Sequence, residues 1–234
     1  EPMSVDVDLL PGDVYNVEKT VTTPDYPPVL DLLLLEDETG SFFDDIATMQ
    51  GTGPDYTDGK AAAIWDGIDA EVDDFKGGVA GFRDFARGGW GSTGDWVYDL
   101  YADMTTDKAI WLTTGISALS AGGGADTPEA QLAALKAAVG HPWDSDGDGS
   151  DDTGPAPTWR DAATRVIMLV TDAPYHVQGD AGGWPGPTYP ETISELNAAG
   201  VHVIVLTAPG AGDYSGLAAD TGGSVKSISD GSAD

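Results

Sequence analysis

A chain of 234 residues with 41% apolar side chains holds enough hydrophobic material for one α/β domain of ordinary size plus a short flanking segment. Its 40 acidic residues stand against 10 basic ones, a net charge of −30, which excludes nucleic acid as a partner because phosphate contacts need clustered Lys and Arg. Cysteine is absent, which excludes disulfides and thiol chemistry, and no apolar run reaches the length of about eighteen residues that would suggest direct membrane insertion.

Residues 1–26, punctuated by Pro2, Pro11 and Pro24, read as a β segment of a flanking domain or a linker, with the domain proper over 27–234. The run Val29-Leu30-Asp31-Leu32-Leu33-Leu34-Leu35 predicts a strand over 29–36 that is covered on both faces, as in a parallel sheet. Directly behind it comes Asp37-Glu38-Thr39-Gly40-Ser41. Asp, Thr and Ser at alternate positions can turn one carboxylate and two hydroxyls toward one point, a donor set suited to Mg²⁺, Mn²⁺ or Ca²⁺. The same three residue types are also ordinary turn and N-cap residues, so the surrounding pattern has to decide.

A helix is expected from about residue 42, with Phe42, Ile46 and Met49 on one face, followed by a glycine-rich break over 51–59. A second helix is expected over 61–75, carried by Ile64, Ile68 and Val72, and a strand over 78–82 that leads to Asp84. The stretch 90–106 carries Trp90, Trp96, Tyr98 and Tyr101 and reads as a loop region whose aromatics serve packing more readily than recognition. Its Gly-x-Gly-x-x-Gly letters, Gly89 to Gly94, lack the βαβ setting of a nucleotide fingerprint.

Asp126-Thr127-Pro128-Glu129 opens a helix expected over 130–139. Asp144, Asp146, Asp148, Ser150 and Asp152 alternate with Gly149 in sixth position, like the start of an EF-hand loop, but Pro155 stands where the closing Glu belongs. That stretch reads as a calcium turn or as a solvated acidic loop. A strand over 166–171 ends in Thr171-Asp172-Ala173, and helix 189–199, strand 201–206, helix 214–219 and strand 224–228 complete the pattern. The alternation predicts an α/β fold, a doubly wound, mostly parallel sheet flanked by helices. Of the three histidines, His202 lies in an apolar strand and reads as packed, while His176 follows the Asp172 loop and is the one to watch.

Asp37-Glu38-Thr39-Gly40-Ser41 with Asp44-Asp45, then Asp126-Thr127-Pro128-Glu129, then Thr171-Asp172-Ala173, resembles the metal-ion-dependent adhesion site of von Willebrand factor A domains. The Asp-x-Pro-Glu loop and the double Asp are similar to the I-like domain of integrin β subunits. The entry segment also matches in style, through Leu9-Leu10-Pro11-Gly12-Asp13, Val17 to Val21 and Asp25-Tyr26-Pro27. Lack of cysteine departs from animal integrins and suggests a prokaryotic relative. The chain leaves no length for the last helix of the family fold.

The resemblance implies a central Mg²⁺ or Mn²⁺ on Asp37, Thr39, Ser41 and Glu129, with Asp172 behind a water. It implies an adjacent Ca²⁺ on Ser41, Asp44, Asp45 and a carbonyl near Ser229, and a second flanking Ca²⁺ on Asp84, Asp126, Glu129 and the carbonyls of Gly124 and Pro128. Two neutral hydroxyls among its ligands leave the central ion electron-poor, with a position open for an external carboxylate. The function implied is an extracellular or cell-surface adhesion module, not an enzyme, whose partner is a protein or peptide presenting Asp or Glu, alongside a partner domain or subunit. Two alternatives stand beside it. One is a calcium-rigidified spacer of a large surface protein. The other is a metal-dependent phosphoryl-transfer or hydrolytic enzyme, disfavoured because Thr39 replaces the second Asp of an Asp-x-Asp phosphatase motif and no Gly-x-Ser-x-Gly elbow exists.

Overall fold

Nine residues, Val29–Asp37, form the central strand β1, and their side chains alternate between two apolar layers. Leu33 and Leu35 pack with Leu132, Leu135, Leu196 and Leu217 on one face, Leu32 and Leu34 with Phe42, Ile46, Met49 and Trp65 on the other. Coverage on both faces is what the continuous apolar run required. The computed structural model describes residues 10–12, 14, 28–180 and 183–228, so most of the expected flanking segment 1–26, and Ser229, lie outside the described residues.

A 3₁₀ turn, Gly40–Phe42, leads from β1 into α1 (Phe43–Gln50) and then α2 (Lys60–Asp69), followed by β2 (Asp74–Phe82) and β3 (Asp99–Thr105). Next comes α3 (Lys108–Ile110), which runs on as a π turn, Trp111–Gly115, and a 3₁₀ turn, Ile116–Ala118. The rest alternates regularly: α4 (Gln131–Ala137), β4 (Thr164–Thr171), α5 (Tyr189–Ala198), β5 (Val201–Thr207), α6 (Ser215–Asp220) and β6 (Ser224–Ser227). The six strands form one sheet in the order β3-β2-β1-β4-β5-β6, parallel throughout except for β3, which runs antiparallel to β2. Strand order reverses between β1 and β4, and the carboxyl ends of such a pair open a crevice for ligands.

The helix expected over 61–75 ends at Asp69, and residues from Asp74 onward are already strand. Phe75 keeps its place in the apolar layer from β2, its ring 4.7 Å from that of Trp65. Gly77 lies within β2, where a Cβ would press on the Trp65 and Trp111 rings. Gly77 is thus the place where two aromatic rings cross the strand. Residues 90–106 are likewise no single loop, because 99–105 pair on β2 as the edge strand β3 with two register shifts. Trp90 and Tyr98 are buried there and serve packing.

Candidate metal centre

Three loops meet at the carboxyl edge of β1 and β4. The first begins as Asp37, fully buried, turns its carboxylate back on its own chain: Oδ1 accepts from the Thr39 amide at 2.9 Å and from the Thr39 hydroxyl at 2.7 Å. Its Oδ2 accepts from the Thr171 hydroxyl at 2.7 Å, which joins the ends of β1 and β4. Thr39 Oγ1 lies 3.3 Å from Ser41 Oγ, and Ser41 donates to Asp172 Oδ1 at 3.1 Å. Asp37, Thr39, Ser41 and Asp172 therefore form one connected set, buried at Asp37 and Thr39 and open to solvent at Ser41.

The second loop approaches through Gly123 and Gly124, whose φ angles of 75° and 65° favour glycine. Gly40 donates its amide to the Gly123 carbonyl at 3.2 Å. The Gly124 carbonyl accepts from Ser92 Oγ at 3.2 Å, and Pro128 precedes Glu129 in the chain. Glu129 bridges to the third loop: its amide donates to Pro174 O, and its carbonyl accepts from the His176 amide, both at 2.9 Å. Its side chain is 3% exposed, and Oε2 has no hydrogen-bond partner.

Burial is the chief electrostatic force here. It raises the Asp37 carboxyl to about 6 against the pull of the Thr171 and Thr39 hydrogen bonds. It lifts Glu129 to about 10, with Asp37, Asp84, Asp126 and Asp172 adding like charge, so Glu129 sits between the central set and Asp84. Asp172 is raised too, again mainly by burial. Desolvated carboxylates, an orphaned carboxyl oxygen and two hydroxyls aimed at one point fit a divalent cation with oxygen ligands.

Glu38 is a structural participant that the sequence reading passed over as the variable position of Asp-x-Thr-x-Ser. It is fully buried, accepts from Tyr101 Oη at 2.6 Å on β3 and receives the Ser120 amide. Burial raises its carboxyl to about 7 despite those bonds. Gly81 makes the space, since a Cβ there would overlap the Glu38 carboxylate.

Asp44 and Asp45 occupy the first turn of α1, where Asp44 adds to the charge felt by Asp172 and Asp45 to that felt by Glu36. The second flanking set gathers Asp84 and Asp126 around a residue absent from the expected ligands, His176. Its signal in the sequence was only its place after the Asp172 loop. In the 144–152 loop the carboxylates of Asp144, Asp146 and Asp148 lie within 4.8 Å of one another. Asp144 accepts from the Gly147 and Gly149 amides at 2.6 and 3.0 Å, Asp148 from the Ser150 amide at 2.8 Å, and Asp152 from the Ser145 amide at 3.0 Å.

No protein-family model and no curated protein matches the sequence. Solved structures do match its shape. Proximal thread matrix protein 1 from the mussel byssus, described with a zinc-occupied MIDAS motif, superposes with a TM-score of 0.50 at 13% identity over 86% of this chain. This chain spans 42% of that protein's length. The von Willebrand factor A domain of SpRpn10 superposes with a TM-score of 0.50 at 12% identity, over 88% of this chain and 90% of that one. With its six-stranded sheet, its helices on both faces and its acidic loops at the β1 and β4 ends, the chain has the fold of a von Willebrand factor A domain.

Proposed function

We propose that the chain is a ligand-binding module that captures an acidic side chain of a protein or peptide through a divalent cation held by Asp37, Thr39, Ser41 and Glu129, with Asp172 acting through a water. The observation that carries this reading is the gradient of burial across the site: Asp37, Thr39 and Glu129 are enclosed, while Ser41 is exposed and Asp172 half-buried. A cation seated there keeps its solvent side free for an incoming carboxylate, whereas a purely stiffening ion would be enclosed all round. Mg²⁺ or Mn²⁺ suits the central position, and Ca²⁺ suits Asp44, Asp45 and the 144–152 loop. The mussel protein of similar fold, described with a zinc-occupied MIDAS motif, supports the reading of a divalent ion here.

Phe43, 72% exposed and two residues from Ser41, is an apolar contact for the ligand beside the metal. The reading is of a binding module and not of an enzyme, because Asp37 is tied to Thr39 and Thr171 and does not stand free as a nucleophile. Weak, exposed calcium sites work at the millimolar calcium found outside cells, which supports a surface or secreted setting within a larger protein.

Arrays of immobilised peptides carrying Asp or Glu, each paired with its Asn or Gln counterpart, test the proposal. Binding should need Mg²⁺ or Mn²⁺, discriminate acid from amide, vanish with chelator and vanish in Asp37→Ala while the circular dichroism spectrum persists. Undiminished binding in Asp37→Ala, or in excess chelator, sinks it.

A further inference from the structure

The second flanking cluster differs from an all-oxygen calcium site at one atom. His176 is 2% exposed, its ring stacked on Trp184 with centroids 5.2 Å apart, and its Nε2 points between two carboxylates. Nε2 lies 3.6 Å from Asp84 Oδ2 and 3.5 Å from Asp126 Oδ2. Neither Nε2 nor Asp84 Oδ2 has a hydrogen-bond partner, although both are buried. Their opposite sides are held. Asp84 Oδ1 accepts from the Phe85 amide at 2.6 Å and from Trp184 Nε1 at 3.4 Å. His176 Nδ1 lies 3.1 Å from Asp180 Oδ2, which also accepts from the Val177 amide at 2.9 Å.

We propose that Asp84, Asp126 and His176 form a binding site for a first-row transition cation of the Zn²⁺ class, not for Ca²⁺. Ca²⁺ takes six to eight oxygen ligands, whereas imidazole nitrogen suits Zn²⁺ and its neighbours in the row. Tetrahedral coordination with bonds of about 2.0–2.1 Å sets neighbouring donors about 3.4 Å apart, close to the separations between His176 and its two carboxylates. Asp180 supplies the outer partner that metal-bound histidines commonly have: a proton on Nδ1 directed at Asp180 leaves the Nε2 lone pair facing Asp84 and Asp126. Glu129, whose buried Oε2 is also unpartnered, follows Asp126 in the same loop and feels the charge of both Asp84 and Asp126. A protonated His176 paired with both carboxylates accounts less well for the distances, since charge-assisted N–H···O bonds close to about 2.7–2.9 Å.

This site stands apart from the adhesion reading, and the experiment keeps the two separate by working in Asp37→Ala, where the central set has lost its anchoring carboxylate. That variant is titrated with Zn²⁺ against a chromophoric chelator in a large excess of Ca²⁺ and Mg²⁺, and with Co²⁺ followed by its visible absorption. One equivalent of Zn²⁺ should bind despite the Ca²⁺, and Co²⁺ should give the intense bands of a low-coordinate site. Adding Asp180→Asn should weaken Zn²⁺ binding by about 10- to 100-fold, and adding His176→Gln by roughly 100-fold or more, since it removes the ligand itself and not its outer partner. No Zn²⁺ uptake over Ca²⁺, or uptake unchanged by His176→Gln, overturns the proposal. Should His176→Gln fail to fold, the imidazole ¹⁵N resonances of the Asp37→Ala protein decide: Zn²⁺ must shift Nε2 of His176, and an unmoved Nε2 rejects the site.

Discussion

Glu36 precedes Asp37 on β1 and is fully buried, with neither carboxyl oxygen hydrogen-bonded. Burial first, then the charges of Asp37, Glu38 and Asp45, hold its pKa well above the ordinary glutamate value. The alternation of β1 puts it on the same face as Leu32 and Leu34, so a leucine of similar length fits the layer. Glu36→Leu should therefore stabilise the protein by about 1–3 kcal/mol, read as a rise in the thermal midpoint in chelator. A loss of stability that is greater with divalent ions than without them would instead place Glu36 among the ligands. Other residues at this edge differ in how far the sequence reveals them. Asp37, Thr39 and Ser41 are legible because their spacing is local and follows an apolar strand. Glu38 is not, and His176 is marked only by its place after the Asp172 loop, because the partners that define them, Tyr101, Ser120 and Asp84, are far away in sequence and only the fold brings them near.

At the level of elements, strands with continuous apolar runs could be read directly, and β1, β4 and β5 lie within a residue or two of where they were expected. β3 was hidden because an edge strand buries little of itself, and Asp99 and Asp103 break its apolar pattern. The start of β2 was hidden by Asp74, Lys76 and Gly77, which break its apolar pattern; the space of the missing Gly77 side chain is filled by the Trp65 and Trp111 rings. One acid inside the apolar run of β1 also finds its reason in the fold. Asp31 is fully buried and accepts from Arg160 Nε and from the Arg160 amide, both at 2.7 Å. The same guanidinium reaches the Leu30 carbonyl at 2.9 Å and the Asp74 carboxylate, clamping the amino ends of β1 and β2. Arg160→Met leaves the Asp31 carboxylate buried without its cation and should cost about 3 kcal/mol, with Asp31→Leu in the same chain recovering most of it. Denaturant midpoints of the single and double variants check this, and strict additivity of the two losses would show that the pair does not act as a unit.

Across the whole molecule, four buried carboxyls at the carboxyl edge of the sheet shift the same way. Burial carries Asp37 to about 6, Glu38 and Asp84 to about 7 and Glu129 to about 10, while in the unfolded chain such groups release their protons near pH 4. Between those limits the folded state binds more protons than the unfolded state, so without divalent ions stability must fall as pH rises from about 4 to 7, and further as Glu129 ionises. Repulsion within a chain of net charge −30 acts in the same direction, but sodium chloride screens it. A divalent ion at the carboxyl edge of the sheet does more than screen. It binds only the deprotonated carboxylates, takes the place of their protons and so binds more tightly as pH rises. At a free concentration one hundred times its Kd, one such ion adds about 2.7 kcal/mol, roughly 5–10 °C in the midpoint for a domain of this size. Thermal melts from pH 4.5 to 7.5 should therefore fall steadily in chelator, fall less in sodium chloride, and level or rise with Mg²⁺ and Ca²⁺ at matched ionic strength. Coincident curves for sodium chloride and the divalent salts would mean that the acidic edge is only surface charge. A gap that widens toward neutral pH, and closes in Asp37→Ala, would tie the stability of the fold to the ions held at the ends of β1 and β4.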